Sequence, residues 1–259
     1  RLLMRFDAVT LFPEMFDAVL DYGITRRALD RGLYRFKAWN PRDFTDDPHR
    51  TVDDRPYGGG PGMLMLAEPL DRALNAVQQA LASENSTPSV VHFSVRVHPL
   101  THQRVMELKE KPALVLLCGR YEGIDERLLR RRVDEEISLG DFVLSGGELP
   151  ALALMDALIR QLPGALNDAD SAVEDSFAAS RLEFPHRNRP RAGWWQGMAA
   201  PDVLRSGNHA AIAQWRLQQS LTITATHRPD LLARRVLSKQ EQDILAAHPS
   251  GAQQNEAAR

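Results

Sequence analysis

The chain has 259 residues, 43% of them hydrophobic and 25% charged, the balance of a globular protein with room for one large domain or two small ones. Its single cysteine, Cys118, excludes an internal disulfide framework and a multi-cysteine zinc site. The net charge of −2 does not mark a nucleic-acid binder, but it is unevenly divided: residues 175–259 hold 11 Lys+Arg against 7 Asp+Glu, and residues 1–174 hold 21 against 27.

In chain order, Phe6–Phe12 is strand-like, and Pro13 suits a first helical turn before Met15, Phe16, Val19 and Leu20. Leu33–Trp39 predicts a second strand, and Asn40–Gly62 a polar loop rich in Pro and Gly. Leu66–Leu81 has helical spacing and breaks at Ser83–Pro88. Ser89–Phe93 and Ala113–Cys118 are short apolar strands around a helical Thr101–Lys111. Within the second of these, Cys118 reads as a small buried hydrophobe. Val133–Leu139 is a further strand, and Glu148–Leu162 a strongly apolar helix that Pro163-Gly164 ends. Strands alternating with helices give an α/β fold with a mainly parallel sheet.

Residues 1–166 thus form one domain, 167–174 a flexible linker, and 175–259 a small, mainly helical domain. In that domain Asn208 can cap a helix through Ile212, Trp215, Leu217 and Leu221. Ser238-Lys239-Gln240-Glu241 matches a capping box, and His248–Arg259 reads as a frayed tail. No apolar stretch approaches the ~20 residues that span a bilayer, and Arg1–Phe6 has no signal-peptide core. The expectation is a cytoplasmic protein with no membrane partner.

Three glycine-bearing loops stand out: Asp53 to Met63, Gly119 to Arg127, and Leu139 to Glu148. The last two leave strands directly, where open α/β sheets collect ligands, and glycine lets main-chain groups approach a ligand closely. Taken singly, each is as well explained by tight turns. None is a P-loop and no Gly-x-Gly-x-x-Gly opens the first helix, which argues against nucleotide hydrolysis and an ordinary dinucleotide site. Arg181, His186, Arg187, Arg189 and Arg191 lie near Trp194 and Trp195. This basic stretch with aromatics either grips RNA or forms a solvated face over core tryptophans. Arg130–Arg132 reads as a solvated helix face, and the histidines show no metal-ligand spacing.

Several blocks together resemble the bacterial tRNA (guanine-N1)-methyltransferase (TrmD) family of the SPOUT superfamily. They are Leu11–Phe16, Pro41–Phe44, Thr51–Met63, Gly119–Arg127, Gly140–Pro150, Glu174–Phe177 and Ser206–His209 with Trp215-Arg216. The order and spacing match from about Leu11 to Leu245. The resemblance implies a SPOUT-type parallel sheet with a deep trefoil knot, which general topology rules would not have suggested. It implies a homodimer with its active site at the subunit interface, a tRNA partner and S-adenosyl-L-methionine as methyl donor, with a magnesium ion (Mg2+) at no identified site. By position, the cofactor residues are Ser94, Gly119, Tyr121, Glu122, Leu139, Gly140, Phe142, Leu144, Gly146 and Gly147. Asp53, Gly62 and Ser171 fall at tRNA-binding positions. One departure is plain: Val95-Arg96-Val97-His98-Pro99 replaces the usual Pro-Gln-Gly after the serine. Phe142 stands where tyrosine is frequent.

The reaction so implied methylates N1 of the guanosine at position 37 of tRNA, beside the anticodon. N1 of neutral guanine carries a proton, so a base must take it. The resemblance gives that role to Asp175 and gives Arg160 the role of stabilising charge at guanine O6. Read without it, Asp175 suits a helix N-cap before Ser-Phe-Ala-Ala, and Arg160 a last-turn cation complementing its helix. Glu174 is the competing carboxylate. The rivals are an RNA-binding protein without chemistry, a SPOUT enzyme acting on a ribose 2′-hydroxyl, and a nucleotide-dependent enzyme.

Overall fold

The computed structural model describes residues 3–84, 86–166, 175–188, 194–195 and 198–247. The chain divides into two compact units, Arg1–Ala169 and Asp170–Arg259. In the first, β1 (Met4–Val9) is followed by a short 3-10 helix (Pro13–Phe16), α1 (Asp17–Leu20), α2 (Gly23–Asp30) and β2 (Tyr34–Trp39). A second 3-10 helix (Pro41–Phe44) leads to the two-residue strands β3 (Asp53–Asp54) and β4 (Leu64–Met65), then to α3 (Ala67–Ala82). After these come β5 (Ser89–Phe93), α4 (His102–Lys109), β6 (Ala113–Leu117), α5 (Glu126–Arg132), β7 (Glu135–Ile137) and α6 (Glu148–Ile159).

Five strands form one sheet in the order β2-β1-β6-β5-β7, and every neighbouring pair is parallel. β6 is buried at all five positions, as expected of a strand covered on both faces. Its side chains alternate between two cores. Leu114, Leu116 and then Cys118 join Phe6, Ala8, Leu154 and Leu158. Ala113, Val115 and Leu117 join Val9, Leu74, Val77 and Leu128. α6 therefore covers one face of the sheet, and α3 with α5 the other.

Element boundaries depart from the sequence expectations in a few places. β1 stops at Val9 rather than Phe12, and beyond it the Phe12 amide donates to the Thr10 hydroxyl at 3.0 Å instead of to a neighbouring strand. The helix expected from Pro13 onward is a 3-10 turn, one α-turn and a separate helix at Gly23–Asp30. α6 ends at Ile159, with Arg160 as its C-cap. Arg132 is no solvated residue: its side chain is 9% exposed. It pairs with Asp71 and donates to Asn75 Oδ1 at 2.9 Å and Gln78 Oε1 at 3.1 Å, fastening α5 to α3.

In the second unit, β8 (Trp194–Trp195) and β9 (Met198–Ala199) pair antiparallel. They are followed by α7 (Asp202–Arg205), α8 (His209–His227), α9 (Pro229–Ala233) and α10 (Lys239–Ala246). Asn208 caps α8 by accepting from the Ala211 amide at 3.1 Å, and the Ser238–Glu241 capping box of α10 is closed in both directions. The expected linker 167–174, with Ser171 and Glu174, lies outside the described residues, as do Arg189, Arg191 and the tail from His248. Among the described residues no helix is long and apolar enough to cross a membrane.

Cys118 lies wholly buried at the end of β6, and burial pushes its thiol well above the ordinary range. A thiol reagent at mildly alkaline pH is therefore expected to leave the native protein untouched and to react fully once guanidinium unfolds it. Rapid labelling of native protein would place Cys118 at the surface.

Candidate active site

The carboxyl ends of β5, β6 and β7 open into one cleft of about 480 Å³. Its walls come from the segments that leave those strands: His92–Arg96 after β5, Gly119–Ile124 after β6, and Ile137–Gly147 after β7. All ten residues expected at a cofactor, from Ser94 to Gly147, line this cleft. So do His92, Val95, Arg96 and Arg120, to which the sequence reading gave no role at the cofactor.

Gly147 fixes the floor. A Cβ there would stand 2.8 Å from Cys118 Cα and 3.1 Å from the Gly119 nitrogen, so only glycine fits without moving backbone. The Gly147 amide donates to the Gly119 carbonyl at 2.9 Å, sealing the third loop to the second. Tyr121 holds left-handed backbone with φ 58°, a conformation that costs a tyrosine on the order of 1 kcal/mol and persists only when its surroundings impose it.

An ion pair between a buried carboxylate and a partly exposed guanidinium sets the loops. Glu148, the first residue of α6, is fully buried. Its Oε2 accepts from Arg120 Nε at 2.8 Å and its Oε1 from the Thr10 hydroxyl at 2.7 Å. Arg120 also lies over the Phe12 ring, 4.5 Å from its centre. Thus β1, the loop after β6 and the start of α6 meet at one carboxylate. His92 is held beneath Gly119 by donating from Nδ1 to the Leu117 carbonyl at 3.1 Å, and burial lowers its pKa.

The first glycine-rich loop is fastened to the second. Glu122 N donates to Met63 O, and Met65 N to Gly123 O, each at 2.9 Å. Gly62, at φ 79°, packs its α-carbon against the Glu122 side chain where any Cβ would collide. Asp53 in β3 pairs with Met65 in β4. The structure therefore brings two of the expected tRNA residues, Asp53 and Gly62, onto a loop joined to the cleft wall.

The family model described as tRNA (Guanine-1)-methyltransferase TrmD matches residues 4–234. The chain belongs to the tRNA (guanine-1)-methyltransferase family. It is 81% identical over 231 residues to the tRNA (guanine-N(1)-)-methyltransferase of Thiobacillus denitrificans, covering 89% of this chain and 97% of that protein. The proteins of the same description from Chromobacterium violaceum and Aromatoleum aromaticum are 59% and 60% identical. Those alignments cover 95% and 93% of this chain, and 96% and 91% of the relatives.

The two residues to which the resemblance gives family chemistry lie in different units. Arg160 caps the far end of α6, about 20 Å along the axis from Gly147 at 1.5 Å per residue. Asp175 opens the described part of the second unit. No helix follows it: residues 176–180 form turns, with Phe177 and Ser180 in left-handed backbone, so the N-cap alternative for Asp175 does not hold. The strand of chain after it is stitched to α8, where Leu182 N donates to Thr224 Oγ1 at 2.8 Å and the Ser220 hydroxyl to Leu182 O. Among the described residues no group of three or more His, Cys, Asp or Glu side chains is placed to hold a metal ion.

Two stability measurements test this framework. Glu148→Ala takes the acceptor from Arg120 and Thr10 and is expected to cost about 1–3 kcal/mol in a denaturant titration. A loss below about 1 kcal/mol would show Arg120 rescued by water. Gly147→Ala is expected to cost about 1–3 kcal/mol through the enforced backbone shift, and an unchanged midpoint would mean that the Cys118–Gly119 approach is not tight.

Proposed function

We propose that this chain transfers a methyl group from S-adenosyl-L-methionine to N1 of guanosine 37 of tRNA, next to the anticodon, giving 1-methylguanosine. One observation carries the reading: in a member of this family, all ten expected cofactor residues converge on a single cleft at the strand ends. Its volume of about 480 Å³ lies within the range of small-molecule sites. The close approach at Gly147 leaves main-chain groups on the floor, suited to a ligand with many donors and acceptors. When bound, S-adenosylmethionine supplies a methyl group made electrophilic by its sulfonium.

The protein's own part is to hold the guanine and manage one proton. Asp175 accepts the N1 proton as the nitrogen's lone pair is freed. Arg160 donates to O6, where negative charge gathers as that proton leaves. Asp53 and Gly62 line the guanine side, Ser171 is a further tRNA-binding residue of this reading, and the basic 181–191 stretch holds phosphates.

The reading includes a homodimer with the active site at the subunit interface. The length of α6 between Gly147 and Arg160 supports it, since the arginine stands about 20 Å along the axis from Gly147 on the cleft floor of its own chain. Around the cleft, Phe12, Phe142, Val143 and Leu149 are 44%, 54%, 85% and 51% exposed, apolar surface suited to burial between subunits. It also includes the SPOUT-type trefoil knot. The chain leaves β7 at the sheet edge and returns past β5 to set Gly147 on the end of β6, a path such a crossing requires. The second unit is taken as the tRNA-binding domain and the location as cytoplasmic. Mg2+ is given no protein site.

Transfer of labelled methyl to unmodified tRNA carrying guanine or adenine at position 37 tests the reading. Label is expected as 1-methylguanosine with the guanine substrate alone, falling on the order of 10²–10⁴-fold in Asp175→Ala. Near-full turnover in that variant would pass the base's role to Glu174 or solvent. A ribose-methylated product, or none, would overturn the assignment.

A further inference from the structure

The 94–99 segment departs from the family pattern, and the structure assigns its central residue a task. We propose that Arg96 is a positioning residue for the methyl donor, its guanidinium clasped between Glu126 and Glu136 so that the 94–99 loop holds the shape of one cleft wall. The inference rests on the cofactor reading of the cleft given above.

The loop's two ends are stitched to the chain leaving β7. Ser94 N donates to Ile137 O at 2.9 Å and Leu100 N to Ser138 O at 2.8 Å. Between those ends the tip runs out into solvent, with Val95 55% exposed. Arg96 holds that tip. Its Nη1 donates to Glu126 Oε2 and its Nη2 to Glu136 Oε1, both at 3.0 Å. Glu126 sits in the first turn of α5 and Glu136 in the middle of β7. One side chain therefore ties the segment after β5 to the helix that follows β6 and to β7 itself. A planar guanidinium suits this task because its donors diverge in a fixed plane.

The clasp also orients a lining hydroxyl. Arg96 N and Nε both reach Ser94 Oγ, at 3.2 and 3.3 Å. With those two contacts accepted, the hydroxyl proton is left to donate, and Ser94 lines the cleft. Ser94 is thus set to present a donor to an acceptor oxygen or nitrogen of the ligand. The three charged side chains are 54%, 47% and 25% exposed, so solvent screens them and their contribution to global stability is small. What they supply is order in a wall segment that would otherwise be ordered by the ligand at the expense of affinity.

Calorimetric titration of S-adenosylmethionine into the full chain, with steady-state methylation of tRNA, separates the possibilities. Arg96→Ala is expected to raise Kd and KM for S-adenosylmethionine about 5- to 30-fold, the scale of reordering a few side chains. Its kcat at saturation should stay within about twofold, and its Tm within about 2 °C. Glu126→Gln/Glu136→Gln should reproduce the loss, and adding Arg96→Ala to that pair should change little, as for groups acting as one unit. Raising salt from about 0.1 to 1 M, where screening shortens to about 3 Å, should weaken the wild type toward the variant and leave the variant nearly unmoved. Binding by Arg96→Ala within twofold of wild type overturns the clasp alone. So does a fall in kcat with KM unchanged, or additive losses. Failure of the wild type to bind S-adenosylmethionine at all overturns the cofactor reading together with the clasp.

Discussion

Glu148 brings a carboxylate to the first turn of α6 in a place that water does not reach, and Arg120 and Thr10 are what make that tolerable. A buried charge left alone would cost several kcal/mol, so the three groups hold one another in register. Their consequence is geometric. With Glu148 fixed, its neighbour Gly147 lies on the Cys118–Gly119 backbone, and with Arg120 fixed, the loop after β6 cannot swing. Two walls of the cleft are referred to that point, the third loop through Gly147 and the second through Arg120, and the first glycine-rich loop is joined to the second through Met63 and Met65.

Much of this was legible in the sequence. Continuous apolar runs gave β5 and β6, helical spacing gave α3 and α6, and glycines clustered after strands marked the loops that line the cleft. These signals are local, set by periodicity and by the backbone freedom of single residues. What could not be read joins residues far apart in sequence. Thr10 and Glu148 are separated by 138 positions, and nothing in the neighbourhood of either announces the other. Arg132 illustrates the same limit. In its run of three arginines it looks like solvent-facing charge, but the opposing face of α3 carries the Asp71, Asn75 and Gln78 that take it in. Arg96 shows itself in the sequence only as a departure from pattern, because its meaning lies in Glu126 and Glu136 on other elements.

The site's reliance on main chain has a bearing on how it varies. A wall built from glycine contacts and backbone hydrogen bonds constrains few side-chain identities, whereas the supports behind it constrain several. The Phe142 side chain lines the cleft and lies outside the Gly119–Gly147 framework. A change at Glu148 or Gly147 would move that framework itself. Residues touching the cleft are thus of two kinds, those that can drift and those that hold the others in place.

The pairing of β1 with β6 bears on how the chain comes to be folded. Arg5 lies beside Ala113, so the first strand made must wait for a neighbour 108 residues later. At roughly 5–20 residues per second that is about 5–20 s of synthesis. Only β2 is available to cover one edge of β1 in that interval, and its other edge stays open to chance partners. A sheet whose centre is closed by its first and its fourth large strand cannot be assembled piecemeal from the amino terminus. Its completion is a late event, with the slow rate that distant contacts impose, and the nascent chain depends on its surroundings until β6 has emerged.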